Sequence, residues 1–235
     1  YLTFDDGPSE NTADILDILA AYGVQATFFV NGKEGEWAEE AYRRIVDEGH
    51  TLGMHSYTHR YEEIYASTDA FLADMHRLQD YLYNVTGIKT MYYRFPGGSS
   101  NSVGGVGIRK LIQCLQEENI VYYDWNVSSQ DATGVRYTSE ELVENCMGSI
   151  EKYETVIILL HDAAGKDTTV EALKSSKPDM IEIMPGIAYK AIKSLRSTLS
   201  LPIIAGGLID TVEEIENATS SGAAAISTGK MELWK

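Results

Sequence analysis

Short apolar runs rich in β-branched and aromatic residues alternate with stretches in which apolar side chains recur every three or four positions. The runs lie at 1–4, 26–30, 51–54, 91–95, 120–125 and 156–160, and the helical stretches at 12–22, 36–47, 69–83, 108–118 and 140–153. Such alternation predicts βα units around a parallel sheet. The continuous apolar character of 156–160 suits a strand covered on both faces. From Lys177 the rhythm continues in shorter-looped units, with strands at 180–184, 202–205 and 223–227 and helices at 187–198 and 212–220. The expectation is an α/β fold: a single parallel (β/α) barrel, TIM-like or distorted, of about eight strands. It would take up residues 1–235 as one domain, and the ninth candidate strand would be an outer strand, a misreading or the mark of a splice.

Composition narrows the function more than the fold. A chain of 235 residues, 44% hydrophobic, can bury a full core, and its net charge of -16 argues against nucleic acid and anionic membrane surfaces as partners. No apolar run reaches the length of a spanning helix, and the start lacks a signal-peptide pattern. Tyr1 opens directly on a strand, so the chain reads as a piece of a longer product. Cys114 and Cys146 are too few for a disulfide framework and read as free thiols.

The candidate chemistry sits at predicted strand ends. Leu2-Thr3-Phe4-Asp5-Asp6-Gly7 runs an apolar strand into two adjacent carboxylates, which raise each other's pKa unless a cation or a proton lies between them. A surface turn is the bland alternative, and His55-Ser56-Tyr57-Thr58-His59 weighs against it, because two imidazoles four apart suit one cation. Asp6, His55 and His59 would form a three-donor site with a coordination position left for water, the catalytic rather than the structural zinc pattern. His50 and His76 lack such company and read as structural.

Asp5 is placed to accept a proton from an attacking water, and Arg94 could hold its charge and rotamer. Pro96-Gly97-Gly98 offers backbone N–H groups to an oxyanion. Asp124-Trp125 and His161-Asp162 each close a strand, and a histidine held charged by a carboxylate suits a general acid. An ordinary loop histidine is the alternative. Gly97, Trp125 and Leu160 are candidate substrate contacts, Leu160 lining a pocket for a small acyl group.

In order, Thr3-Phe4-Asp5-Asp6-Gly7, His55 to His59, Arg94-Phe95-Pro96-Gly97-Gly98, Asp124-Trp125 and Leu159-Leu160-His161-Asp162 resemble the polysaccharide deacetylase family with the NodB homology domain, over about residues 1–174. The resemblance implies Asp5 as catalytic base, with Asp6, His55 and His59 binding one divalent metal, zinc first and cobalt or nickel as alternatives. It implies Arg94 orienting the base, Asp124 tuning the acid and His161 as that acid. The chemistry implied is hydrolysis of N-acetyl groups from a polysaccharide or oligosaccharide, of peptidoglycan or chitin type, by an extracytoplasmic or cell-wall-associated monomer. Many members carry tyrosine after the proline, where this chain has Gly97 and so loses an aromatic wall of the sugar groove.

The tail resembles a different family. Pro178 to Gly186, Pro202-Ile203-Ile204-Ala205-Gly206-Gly207, Ala224 to Thr228 and Glu232-Leu233-Trp234 are similar to the closing strands of the glycerol uptake operon antiterminator family, a (βα)₈ barrel, over about 177–235. Gly206, Gly207 and Ser227 thereby inherit a possible phosphate-binding role. Two parents without a linker imply a fold chimera in which the tail's βα units replace the last part of the deacetylase barrel. A catalytically impaired scaffold that binds metal or phosphate without turnover is the competing reading, since small displacements cost large factors in rate.

Overall fold

The computed structural model describes residues 1–102, 105–175, 181–183, 187–198 and 202–233. Met180 and Met184, the ends of one expected strand, lie outside the described residues, as does Trp234. The chain divides into two compact units, Tyr1–Ser175 and Ser176–Lys235, at the point where the sequence changes texture.

The first unit is built on seven parallel strands: β1 (Leu2–Asp5), β2 (Thr27–Asn31), β3 (Thr51–Ser56), β4 (Tyr92–Tyr93), β5 (Val121–Tyr122), β6 (Val127–Ser128) and β7 (Ile158–His161). Their order is β5-β4-β3-β2-β1-β7-β6, a sheet curled into a half-barrel. The stretch expected as a single strand at 120–125 is only β5, and after Trp125 the chain continues in β6, on the other edge of the sheet. A two-residue strand has no period to detect, so β6 left no trace in the pattern.

Helices α1 (Thr12–Tyr22), α2 (Glu36–Asp47), α3 (Tyr61–Ile64), α4 (Thr68–Thr86), α5 (Ile108–Glu117), α6 (Ser139–Ile150) and α7 (Asp167–Ser175) complete the unit. Local chemistry sets their ends. Ser67 caps α4 by accepting from the Ala70 amide, Thr138 and Glu141 form a capping box on α6, and Gly23 ends α1 in the left-handed conformation. No described helix is long and apolar enough to cross a membrane.

Because side chains alternate along a strand, the register separates two faces. Phe4, Phe28 and Leu52 lie in one row, and they join Val30, Met54 and Leu160 in the main apolar cluster with Ile15, Leu16, Ile45 and Leu78 of the helices. The opposite face carries Thr3, Thr27 and Thr51 in one row and Asp5, Phe29 and Gly53 in the next. Gly53 is required there: a Cβ would lie 2.6 Å from the Phe29 ring. A cavity of about 410 Å³ on this face is lined by Tyr1, Thr3, Thr27, Phe29, Thr51 and Arg94.

The second unit has three parallel strands, β8 (Ile181–Ile183), β9 (Ile203–Gly206) and β10 (Ala225–Ser227), in the order β10-β9-β8. Helices α8 (Tyr189–Thr198) and α9 (Val212–Ser220) follow β8 and β9. Ile192, Ile203, Ala205, Ile209, Ala218 and Ala223 form its own small apolar cluster. Hydrogen bonding groups these strands as a sheet separate from the seven-stranded one.

Candidate active site

The pairing of β1 with β7 sets Asp5 directly beside His161, 156 positions later in the chain. Asp5 is buried and accepts from the Arg94 guanidinium at 2.8 Å. Arg94 is itself wholly buried and donates further to Thr3 Oγ1 at 2.6 Å and to the backbone carbonyls of Tyr123 and Asp124. Its guanidinium lies 4.2 Å from the centre of the Phe29 ring, the ring that Gly53 leaves room for. A buried ion pair costs desolvation unless its other donors are satisfied, and here the planar fork of Arg94 meets partners at all three nitrogens.

Asp6 follows with φ 73, a left-handed backbone that turns its carboxylate toward the histidines. Asp6 Oδ1 is 3.2 Å from His59 Nε2 and 3.7 Å from His55 Nε2. One ligand atom from each of the three residues lies within 4.8 Å of the other two. His55 Nδ1–H donates to the Arg94 carbonyl at 2.7 Å, which leaves the Nε2 lone pair free to face a cation. Burial works against the Asp6 charge, but His55, His59 and His161 outweigh it and hold the carboxyl below its usual range. The donor set therefore fits a divalent cation: one carboxylate kept ionised and two imidazoles, one with its tautomer set by hydrogen bonding.

Residues to which the sequence analysis gives no role hold these groups in place. Asp74 of α4 accepts from Ser56 Oγ, the Tyr57 amide, and the Thr58 amide and hydroxyl, pinning the loop between His55 and His59. Asn31 Nδ2 donates to Asp6 Oδ1, and Lys33 Nζ donates to the carbonyls of Asp6 and Pro8. Asp162 is buried, accepts from Ser9 Oγ and Thr12 Oγ1 at 2.6 Å each, and fills the space that a Cβ on Gly7 would need.

Two expected roles move to neighbouring residues. The carboxylate that holds His161 is Asp131, not Asp124: His161 Nδ1–H donates to Asp131 Oδ1 at 2.7 Å, and the His161 amide donates to Oδ2 at 2.8 Å. Asp124 instead accepts from the Ser99 amide and hydroxyl, anchoring the loop that follows Gly98. The reason is the break after Trp125, which carries Asp131 past β6 and alongside β7, whereas Asp124 ends β5 at the far edge. Likewise Leu160 pairs with Phe4 and packs into the helix-side cluster, while Leu159, one residue earlier, shares the face of Thr3, Asp5 and His161. A one-residue step reverses the face of a strand, so Leu159 rather than Leu160 lies on the face of Asp5 and His161.

Burial disfavours a charged His161, but the hydrogen bond and charge of Asp131, with Asp5 and Asp6 behind them, raise its pKa above the ordinary value. Asp131 is held in turn by Thr169 Oγ1 at 2.9 Å. The Gly98 amide is committed to the Phe95 carbonyl, while Gly97, with φ 77, is exposed with its N–H unpaired among the described residues. Trp125 lies over Gly98, where a Cβ would come within 3.0 Å of its ring. His50 and His76 have structural partners: Nδ1 of His50 accepts from the Ala26 amide, and His76 pairs with Glu118.

In the second unit Ser227 stands beside Gly206 in register, and Gly207 follows with φ 68. The amides of Asp210 and Thr211 at the start of α9 donate to Glu214, so a side-chain carboxylate already satisfies them.

Fold and site together describe an α/β half-barrel with three donors that could hold a cation, beside a carboxylate and an imidazole in register. Comparison with known proteins gives that class a family. The model of the polysaccharide deacetylase family matches residues 1–105, and that of the glycerol-3-phosphate responsive antiterminator matches 129–234, starting well ahead of the change in texture near 177. YheN of Bacillus subtilis (strain 168), which bears a polysaccharide deacetylase name, is 35% identical over 179 residues, covering 74% of this chain and 60% of that protein. A peptidoglycan-N-acetylglucosamine deacetylase of Bacillus cereus is 31% identical over 166 residues, 69% of this chain and 59% of its own length. The crystal structure of the catalytic domain of peptidoglycan N-acetylglucosamine deacetylase from Eubacterium rectale ATCC 33656 superposes with a TM-score of 0.70 at 28% identity, covering 97% of this chain and 87% of that one. The first unit belongs to the polysaccharide deacetylase family. The chain spans about 60% of the length of the curated relatives it matches.

Proposed function

We propose that this chain hydrolyses the N-acetyl group of N-acetylglucosamine residues in a peptidoglycan- or chitin-type polysaccharide, releasing acetate outside the cytoplasm. The observation that carries this reading is the register that sets Asp5 beside His161, next to the donor set of Asp6, His55 and His59. Asp6, His55 and His59 would hold one divalent cation, zinc in our reading. When bound, such an ion polarises the scissile carbonyl and makes water more acidic.

The side chains account for the proton traffic. Asp5, kept in one rotamer by Arg94, takes a proton from the water that attacks the acetamide carbon. The Gly97 N–H, exposed and unpaired among the described residues, is the donor for the developing oxyanion. His161, held protonated by Asp131, gives its Nε2 proton to the departing amine, so the C–N bond breaks as the amine forms. Leu159 lines the space for the acetyl methyl group.

Acetate release from N-acetylglucosamine oligomers, measured with and without a chelator, tests the reading. Release that stops with chelator and returns with zinc supports it. Equal release in both arms, or none in either, rejects it, the latter in favour of an inactive scaffold.

A further inference from the structure

We propose that Tyr61 is a substrate-binding residue that grips the sugar ring, doing from α3 what a side chain at position 97 cannot. The inference rests on the deacetylase reading and adds to it the residue that shapes the sugar pocket. Gly97 and Gly98 both adopt left-handed backbone, with φ 77 and 79, and present bare backbone at the site. In each case an aromatic ring from elsewhere occupies the place of the missing side chain. A Cβ on Gly98 would come within 3.0 Å of Trp125, and a Cβ on Gly97 would lie 3.1 Å from the Tyr61 hydroxyl and 3.2 Å from its Cε1. The chain thus rebuilds, from two separate segments, a wall that its own loop lacks.

The Tyr61 ring is held in position. It meets His59 edge-on with centroids 5.6 Å apart and Tyr65 edge-on at 5.8 Å. Tyr65 in turn donates its hydroxyl to the Pro96 carbonyl at 2.8 Å, and Asn101 Nδ2 donates to the carbonyls of Pro96 and Gly98. The ring and the glycine loop therefore share one anchor. Tyr61 is only half-buried, and its hydroxyl has no hydrogen-bond partner among the described residues. Four other tyrosines of this unit commit their hydroxyls to the protein: Tyr42 to the Asn31 carbonyl, Tyr57 to Glu34, Tyr65 to the Pro96 carbonyl and Tyr81 to the Lys33 carbonyl. A fixed aromatic surface with one open hydroxyl matches a pyranose, which offers C–H faces and a rim of hydroxyls.

The expected signature is a split between binding and turnover. On the tetramer of N-acetylglucosamine, Tyr61→Ala should raise KM about tenfold, with kcat within about twofold and metal content unchanged. Tyr61→Phe, which keeps the ring and removes the hydroxyl, should raise KM about threefold, as one lost hydrogen bond would. An unchanged KM in Tyr61→Ala overturns the proposal. So does a KM increase that disappears at saturating metal, since Tyr61 would then act only by supporting His59. Should the unaltered protein release no acetate, the deacetylase reading fails separately, and calorimetric titration with the same tetramer judges Tyr61. Binding weakened about tenfold in Tyr61→Ala supports the proposal, and equal binding, or none to either protein, rejects it.

Discussion

The two units of this chain use the same βα grammar but differ in what they bury. In the first, Arg94, Asp5, His55, Ser56, Asp131 and Asp162 are all withdrawn from water, and each makes at least one hydrogen bond to a named partner. In the second, the buried apolar side chains described are Ile192, Ile203, Ala205, Ile209, Ala218 and Ala223, with no buried titratable side chain among the described residues. Burying polar groups is costly unless they are satisfied as a network, so a network of this kind is retained where it performs chemistry. The contrast favours the first unit as the place of the proposed reaction and leaves the described residues of the second with ordinary packing.

The strongest way to break that contrast is at the cation site. His55→Ala should abolish metal retention and acetate release together, as read by metal content and product assay. Full metal occupancy in that variant would refute the ligand assignment. Next in size, Asp5→Asn should keep its metal and lose about 10²–10⁴-fold in kcat, the range for removing a general base. A variant with near-normal turnover would move the base elsewhere.

The pairing of His161 gives a sharper and smaller test. Asp131 raises the His161 pKa, so the protonated acid persists to higher pH than an ordinary histidine would allow. Asp131→Asn removes the charge that favours protonation, and the alkaline limb of the kcat profile should shift to lower pH with a drop of about 10–100-fold near neutrality. Asp124→Asn should leave that limb in place. If the two variants behave the other way round, the partner of His161 has been misassigned. Smallest of all in its effect on turnover, Thr211→Ala in the second unit removes a helix cap and should cost about 1 kcal/mol of stability with kcat unchanged, measured by denaturant unfolding alongside activity. A matching fall in kcat would mean that the second unit belongs to the machinery after all.

Helices α1, α2 and α9 occupy the ranges that periodicity alone predicts, because their apolar stripes and their stop signals are local. Two helices escaped it: α3 is a single turn, and α7 follows the His161 loop with only a short apolar pattern. Within the site, Asp5, Asp6, His55, His59, Arg94 and His161 were legible because adjacent or closely spaced chemical groups leave a pattern in one dimension. Asp74, Asn31 and Asp131 were not, since an isolated polar residue looks the same in a sequence whether it faces water or pins a catalytic group, and Asp162, though inside a motif, had no role read for it.

Residue spacing and type were enough to read a βα chain with two textures, an acidic pair at the first strand end and a histidine couple fifty residues later. It took the folded chain to show that Asp131 rather than Asp124 pairs with His161, that Leu159 rather than Leu160 shares the face of Asp5, and that Tyr61 stands beside Gly97. The physical reason is that a side chain's face depends on strand register and its partner on strand order, and both are set by hydrogen bonds between segments far apart in the chain.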